Sequence, residues 1–396
     1  LRKIDLPALG ALSVMLSACG GGGGGGEATS IVIVSPAAPT PIALPTPTPT
    51  PTPTPAPAAT APANPPSAPS LSASTSTELE KLLRAAQGGA VITLMPGRYD
   101  RIDLRDLRFD VPVTITSSDP TSRAELTGAN LTRAKGIKLA NLRLLNLIPE
   151  KLYDFLIQDA ENITLDNVLI TSVEGGESYT SGPLMIRSSR NITVSNSEIK
   201  HVRYGISLLN NQGLSFVGNY FHDIRTDGIR GGGSSDVEIV DNLFSDFLPD
   251  SGDHPDAIQF WTSDIKTAAS NISITDNLIV RGNGTPMQGV FMRDEVGTLP
   301  YQGVIIARNR VIGTMYHGIM VGNATIVKIS DNRVTGMADQ KSWISVPTAT
   351  TLTSNSAQVF LIGGVNVSTL SGNTIIPPSN DNGAALAHSW LIGHAR

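Results

Sequence analysis

The chain has 396 residues, enough for one large domain or two ordinary ones, with 16% charged and 5% aromatic residues and a formal net charge of −5. No basic block stands out, which argues against nucleic acid as a partner. Cys19 is the only cysteine, so no disulfide can form within the chain, and past the first residues no apolar run is long enough to span a bilayer as a helix.

The first segment opens with Arg2 and Lys3, continues with a mostly apolar stretch over residues 6–15, and reaches Leu16, Ser17, Ala18 and Cys19. That tetrapeptide resembles the lipobox of bacterial lipoproteins. The resemblance implies a signal peptide over 1–18, cleavage before Cys19 and lipidation of Cys19. Gly20 rather than Asp follows the cysteine, which leans toward the outer membrane. The expected location is therefore the bacterial cell envelope, with the protein held at the outer membrane by its lipid. Residues 20–26 are an unbroken glycine run, and residues 36–69 are rich in Pro, Thr and Ala, with strict Pro-Thr alternation over 45–55. Such composition cannot bury a core and favours extended polyproline II. Residues 19–73 thus read as a lipidated cysteine followed by a disordered stalk.

The folded domain is expected over 74–396. Residues 76–84 carry an N-cap, early acids and leucines at helical spacing, with Gly88 and Gly89 as a stop. A strand over 91–94 and a turn at Pro96 and Gly97 follow. This helix and the run from Val91 to Tyr99 resemble the first coil of pectate-lyase-type β-helices, including alginate and chondroitin lyases. From about residue 102 a unit recurs: apolar-x-apolar-x-x-Asn, then one or two apolar residues. Its asparagines are Asn141, Asn167, Asn196, Asn219, Asn242, Asn277, Asn309, Asn332 and Asn373, at intervals of 26, 29, 23, 23, 35, 32, 23 and 41 residues. The recurring minimum of 23 is one coil, and longer intervals are the same coil with an insertion. Strands this short must stack at about 4.8 Å per coil around a narrow apolar core. The expected fold is all-β: a single-stranded right-handed parallel β-helix with a short N-terminal capping helix. A β-propeller is the alternative, but its blades are longer, near 40 residues. The asparagines are expected to stack as a ladder at one turn. Residues 341–356 read as a loop or irregular coil, and residues 380–396 show no capping pattern.

A second column, x-Gly-apolar, appears at Tyr204, Asp227, Gln288 and His317, with Ala257 replacing the glycine after Asp256. Stacked on consecutive coils, these x residues form a line up the helix. Alternation then places Arg230, Gln259, Trp261, Phe291 and Arg293 on one solvent-facing sheet. Trp stacks on pyranose faces, while Arg and Gln bind carboxylates or hydroxyls. Candidate substrate-binding residues are Tyr204, Arg225, Gln259, Trp261, Gln288 and His317. A long insertion adds Asp250, Asp253 and His254 at the edge of this patch. The bland alternative is that Asp227 and Asp256 merely cap turns.

The column also resembles polygalacturonases. Their Asn-Thr-Asp-Gly motif is similar to Arg225, Thr226, Asp227 and Gly228, and their Gly-Asp-Asp motif to His254, Pro255 and Asp256. The pattern then departs: Pro255 replaces the middle Asp, Gln288 the Gly-His-Gly histidine, and Met320 and Gly322 the Arg-Ile-Lys pair. Asp227 and Asp256 could still supply the two carboxyl groups of an inverting hydrolase. A lyase needs the uronate carboxylate neutralised, a base for the C5 proton and departure of the 4-linked oxygen. Asp227, Asp253 and Asp256 offer hard oxygens for Ca²⁺. His254 is a candidate base, with Arg230, Arg293 and Lys200 as rivals and His222 and Arg225 within reach. The leading expectation is a monomeric polysaccharide lyase cleaving an acidic, uronate-containing polysaccharide by β-elimination. A hydrolase, a C5 epimerase and a non-catalytic surface protein that binds polysaccharide remain open.

Overall fold

The structure is a computed structural model that describes residues 70–147, 153–173, 182–381 and 383–394. The expected signal peptide, Cys19 and nearly all of the stalk lie outside these residues. Three sheets of 12 strands each run the length of the described domain. One coil shows the plan. The chain passes through Arg190–Ser195 in sheet I, Glu198–Lys200 in sheet II and Ile206–Leu209 in sheet III, then enters sheet I again at Gln212–Val217. Pairing is parallel throughout the described strands except where Val359–Ile362 meets Val365–Val367. The fold is a parallel β-helix, as the repeat implies.

Period-2 alternation builds the core. In sheet III, Phe155, Leu184, Ile206, Ile229, Ile258, Val290, Ile319 and Ile344 are successive register partners, and none is more than 2% exposed. Truncating one such side chain to Ala costs about 2–5 kcal/mol, because neighbouring rungs cannot collapse into the gap. The glycine of the x-Gly-apolar column is explained by close approach. A Cβ on Gly289 would sit 2.1 Å from the Gly318 carbonyl oxygen of the next coil.

The asparagine ladder forms, with one correction. From Asn219 through Asn242, Asn277, Asn309, Asn332 and Asn355 to Asn373, each Oδ1 accepts both the backbone N–H and the Nδ2 of the preceding Asn at 2.9–3.1 Å. Asn141, Asn167 and Asn196 are not in it. They occupy the preceding position, in left-handed geometry at φ 54, 52 and 51. In later coils that place is taken by Gly218, Asp241, Asp276 and Arg308. Asn355, absent from the sequence-based series, splits the long last interval into 23 and 18 residues.

The ends also differ from expectation. Ordered pairing starts at Ser70–Ala73, which pairs with Val91–Leu94, so the boundary at residue 74 falls too late. Helix α1, Ser76–Ala85, is capped by Thr75, whose Oγ1 accepts the Glu78 N–H at 3.2 Å while Glu78 returns a bond to Ser74. Its Leu79 and Leu83 join the core at the first coils. Residues 341–356 are not an irregular coil: Ser342–Val346 and Thr351–Thr353 are regular strands of sheets III and I. A second helix, α2, Ala384–Gly393, packs beside Leu278–Val280 and Arg310–Ile312 of sheet II, and Trp390 Nε1 bonds to the Asp276 carbonyl oxygen at 2.9 Å.

Candidate functional site

The outward face of sheet III carries the predicted patch. Arg230, Gln259, Phe291 and Met320 are register partners on four consecutive coils, and Trp261 pairs with Arg293. The Arg230 guanidinium lies between two aromatic rings, 4.1 Å from the centre of Tyr204 and 4.9 Å from that of Trp261. It also binds Asp227 Oδ2 at 3.0 Å. Arg293 is exposed and makes no ion pair among the described residues.

Beneath this face lies a buried polar layer. The Asp227 and Asp256 side chains are 4% and 0% exposed, and Gln288 is 1% exposed. Asp256 and Gln288 open their strands two places before the core residues Ile258 and Val290 and share their face, while Asp227 lies at the matching place just before the strand Ile229–Gly232. As direct acid and base, Asp227 and Asp256 are out of reach of a sugar chain. Asp227 accepts the Asp256 N–H at 3.2 Å, and burial pushes its carboxyl up to about 7 against the pull of Arg230. Asp256 Oδ2 accepts from Gln259 Nε2 at 2.9 Å, and burial raises this carboxyl as well. Gln259 therefore holds a buried carboxyl instead of standing free for substrate.

His254 is the accessible titratable group above this layer. Its side chain is 64% exposed, and Nδ1 lies 3.5 Å from Asp256 Oδ2. The Gln288 amide reaches both ring nitrogens, at 2.7 and 3.0 Å. The hydrogen-bonded Asp256 raises the imidazole above its usual range, outweighing partial burial. The loop bearing His254 is pinned by Arg225, which binds Asp253 at 2.5 Å and Asp250 at 2.8 Å. Arg225 is thus committed to the loop, correcting its assignment to substrate. Asp253 is turned to Arg225, whose bond holds its carboxyl low. The expected grouping of Asp227, Asp253 and Asp256 as Ca²⁺ ligands does not form. Among the described residues, no three His, Cys, Asp or Glu side chains converge as metal ligands would.

Toward the C-terminal end, His317 sits beside Phe291, with ring centres 5.4 Å apart, and Trp343 Nε1 donates to its Nδ1 at 3.0 Å. Burial lowers the His317 imidazole, and the accepted bond requires a lone pair on Nδ1. With Nδ1 accepting from Trp343, the neutral ring carries its proton on Nε2, as a donor. Tyr316 lies 5.3 Å from Trp343, is 49% exposed, and has φ 43 at a bulge in the pairing. A bulky residue at positive φ is uncommon and concentrates at binding sites. Trp343 was missed because its strand was read as a loop. The alternation of Ser342, Trp343, Ile344, Ser345 and Val346 was the available signal.

Lys200 drops out as a rival base, and His222 as a group within reach. They lie on sheet II, where Lys200 binds Glu198 at 2.8 Å and His222 bonds both Asp223 and Glu198 at 2.6 and 3.1 Å.

A family model described as "Right handed beta helix region" matches residues 127–250. The fold is a right-handed parallel β-helix. Its solved structural neighbours include an alginate lyase from Paenibacillus sp. str. FPU-7, at 12% identity and TM-score 0.44, covering 78% of this chain and 99% of that one. A surface adhesin of Streptococcus pneumoniae is similar at 12% identity and TM-score 0.45, covering 76% and 96%. A PL6 family polysaccharide lyase from Pseudopedobacter saltans aligns at 12% identity and TM-score 0.40, over 79% and 89%. No curated protein matches the sequence.

Proposed function

We propose that this protein is a polysaccharide lyase that cleaves an acidic, uronate-containing chain by β-elimination, with His254 as the base. The observation that carries this reading is the exposed His254 imidazole set over the buried Asp256, on a face that also presents Arg293, Arg230 and aromatic rings. Base chemistry needs an accessible titratable group, and the exposed His254 imidazole, raised by Asp256, is that group. Arg293 would neutralise the uronate carboxylate, with Arg230 adding positive potential from its seat between Tyr204 and Trp261. Two-carboxylate hydrolysis is disfavoured, because both Asp side chains are buried.

The test is incubation with alginate, pectate and a bacterial acidic exopolysaccharide, read by ultraviolet absorbance of the unsaturated product. Absorbance should rise with the intact protein and fall at least 100-fold in rate in His254→Ala, in line with the ~10²–10⁴-fold contribution of a positioned base. New reducing ends without absorbance would reject elimination. A C5 epimerase shares the same first proton abstraction, and solvent deuterium entering an uncut polymer would identify it. Polysaccharide binding with no chemical change would instead favour the surface-protein reading.

We also propose that Cys19 carries the lipid that anchors the protein at the outer membrane, on the strength of the sequence around it. Radiolabelled fatty acid should enter the intact protein in a bacterial host and be lost in Cys19→Ser. Equal labelling of both would sink the assignment.

A further inference from the structure

Two oxygens in the buried layer lack a hydrogen-bond partner: Asp256 Oδ1 and Gln288 Oε1. Their residues are register partners on consecutive coils, 0% and 1% exposed. A buried acceptor left unpaired costs about 1–3 kcal/mol, so two in adjacent residues of one site call for a cause. The remaining polar atoms are committed, since Asp256 Oδ2 accepts from Gln259 and Gln288 Nε2 faces His254. A terminal amide has a second orientation that fills the same space: half a turn exchanges its oxygen and nitrogen. That turn places Oε1 against a His254 ring nitrogen, at the 2.7–3.0 Å now held by Nε2, and frees the NH₂ for Asp256 Oδ1.

We infer that Gln288 is a positioning residue that works in this turned orientation, accepting a ring N–H of His254 through Oε1 and donating to Asp256 through Nε2. Both unpaired oxygens are then satisfied, with no added proton. One His254 nitrogen is then held as N–H by the amide oxygen. The negative charge of Asp256 reaches the imidazole through the amide dipole. Other charged or titratable groups bear on His254 here. Asp227 is balanced by Arg230 at 3.0 Å, and the His317 imidazole, two coils on, is lowered by burial and accepts from Trp343. Asp253 on the same loop is bound to Arg225.

This inference deepens the assignment of His254 as base, but its test needs no substrate, so the two fail separately. The imidazole of His254 is titrated by NMR in the full chain, with the signal assigned by its loss in His254→Asn. An accepting Gln288 favours the charged ring. Replacing it in Gln288→Leu should weaken proton binding by His254 about tenfold, one pKa unit downward. Gln288→Glu keeps an acceptor and should hold or raise the value. A donating Gln288 predicts the opposite sign, an upward shift in Gln288→Leu, and that result overturns the inference, as does an unchanged midpoint. Should Gln288→Leu fail to fold, Gln288→Met is read instead. It must also lower the midpoint, and an unchanged or raised value there again overturns the relay.

Discussion

At the scale of single residues, the buried carboxyl of Asp227 ties the site to stability. An unfolded Asp ionises near 3.8, whereas burial lifts this one to about 7. Between those values the folded state holds one proton more than the unfolded state, so stability falls as pH rises through that window. The full loss is about 4 kcal/mol for a shift of roughly three units. Chemical denaturation from acid to mildly alkaline pH should show this decline in the intact protein and a flatter profile in Asp227→Asn. Equal slopes would mean that Asp227 ionises normally in the fold. The burial of Asp256 was readable beforehand, because Asp256 and Ile258 are two apart in one strand and share a face, whereas Asp227 precedes its strand, Ile229–Gly232. What the sequence did not reveal was the use made of Arg225 and Asp253. A long loop folds back by its own ion pairs, and no periodicity constrains which charges meet.

At the scale of elements, the repeat was legible and its phase was not. Asn suits two adjacent places in this turn, since it tolerates left-handed backbone and its amide can also bridge coils. Asn141, Asn167 and Asn196 use the first property, and Asn219 onward the second. The clue was the spacer: Leu139 is followed by one residue before Asn141, whereas Phe216 is followed by two before Asn219. The two columns should differ sharply in energy. Asn277→Ala removes the acceptor of both the Asn242 N–H and its Nδ2, inside the core. The expected loss is about 2–4 kcal/mol, the cost of two buried groups left unpaired. Asn141→Ala meets only the left-handed penalty and loss of more exposed bonds, about 1–2 kcal/mol. Denaturation midpoints of the two variants decide the matter, and equal losses would erase the distinction between the columns.

At the scale of the whole molecule, a stack of coils has two open ends, and each must be covered. The N-terminal cover was visible in the sequence as one amphipathic helix. The α2 segment was not, because its Ala-rich residues show no polar face, and it packs on a side of the stack, against sheet II. The two helices should therefore respond differently to charge. Leu79 of α1 is 0% exposed, among the first rungs of the core. Leu79→Glu sets an unpaired carboxylate there, uncovers apolar surface and frees the end of sheet I, whose strand edge is a template for pairing with another chain. Ile392 of α2 is 65% exposed, so Ile392→Glu adds a charge to solvent at little cost. Light scattering and thermal unfolding should show association and a lowered midpoint for Leu79→Glu, with Ile392→Glu indistinguishable from the unsubstituted protein. A Leu79→Glu protein that melts and scatters like the parent would show that the first coil is closed by something other than α1.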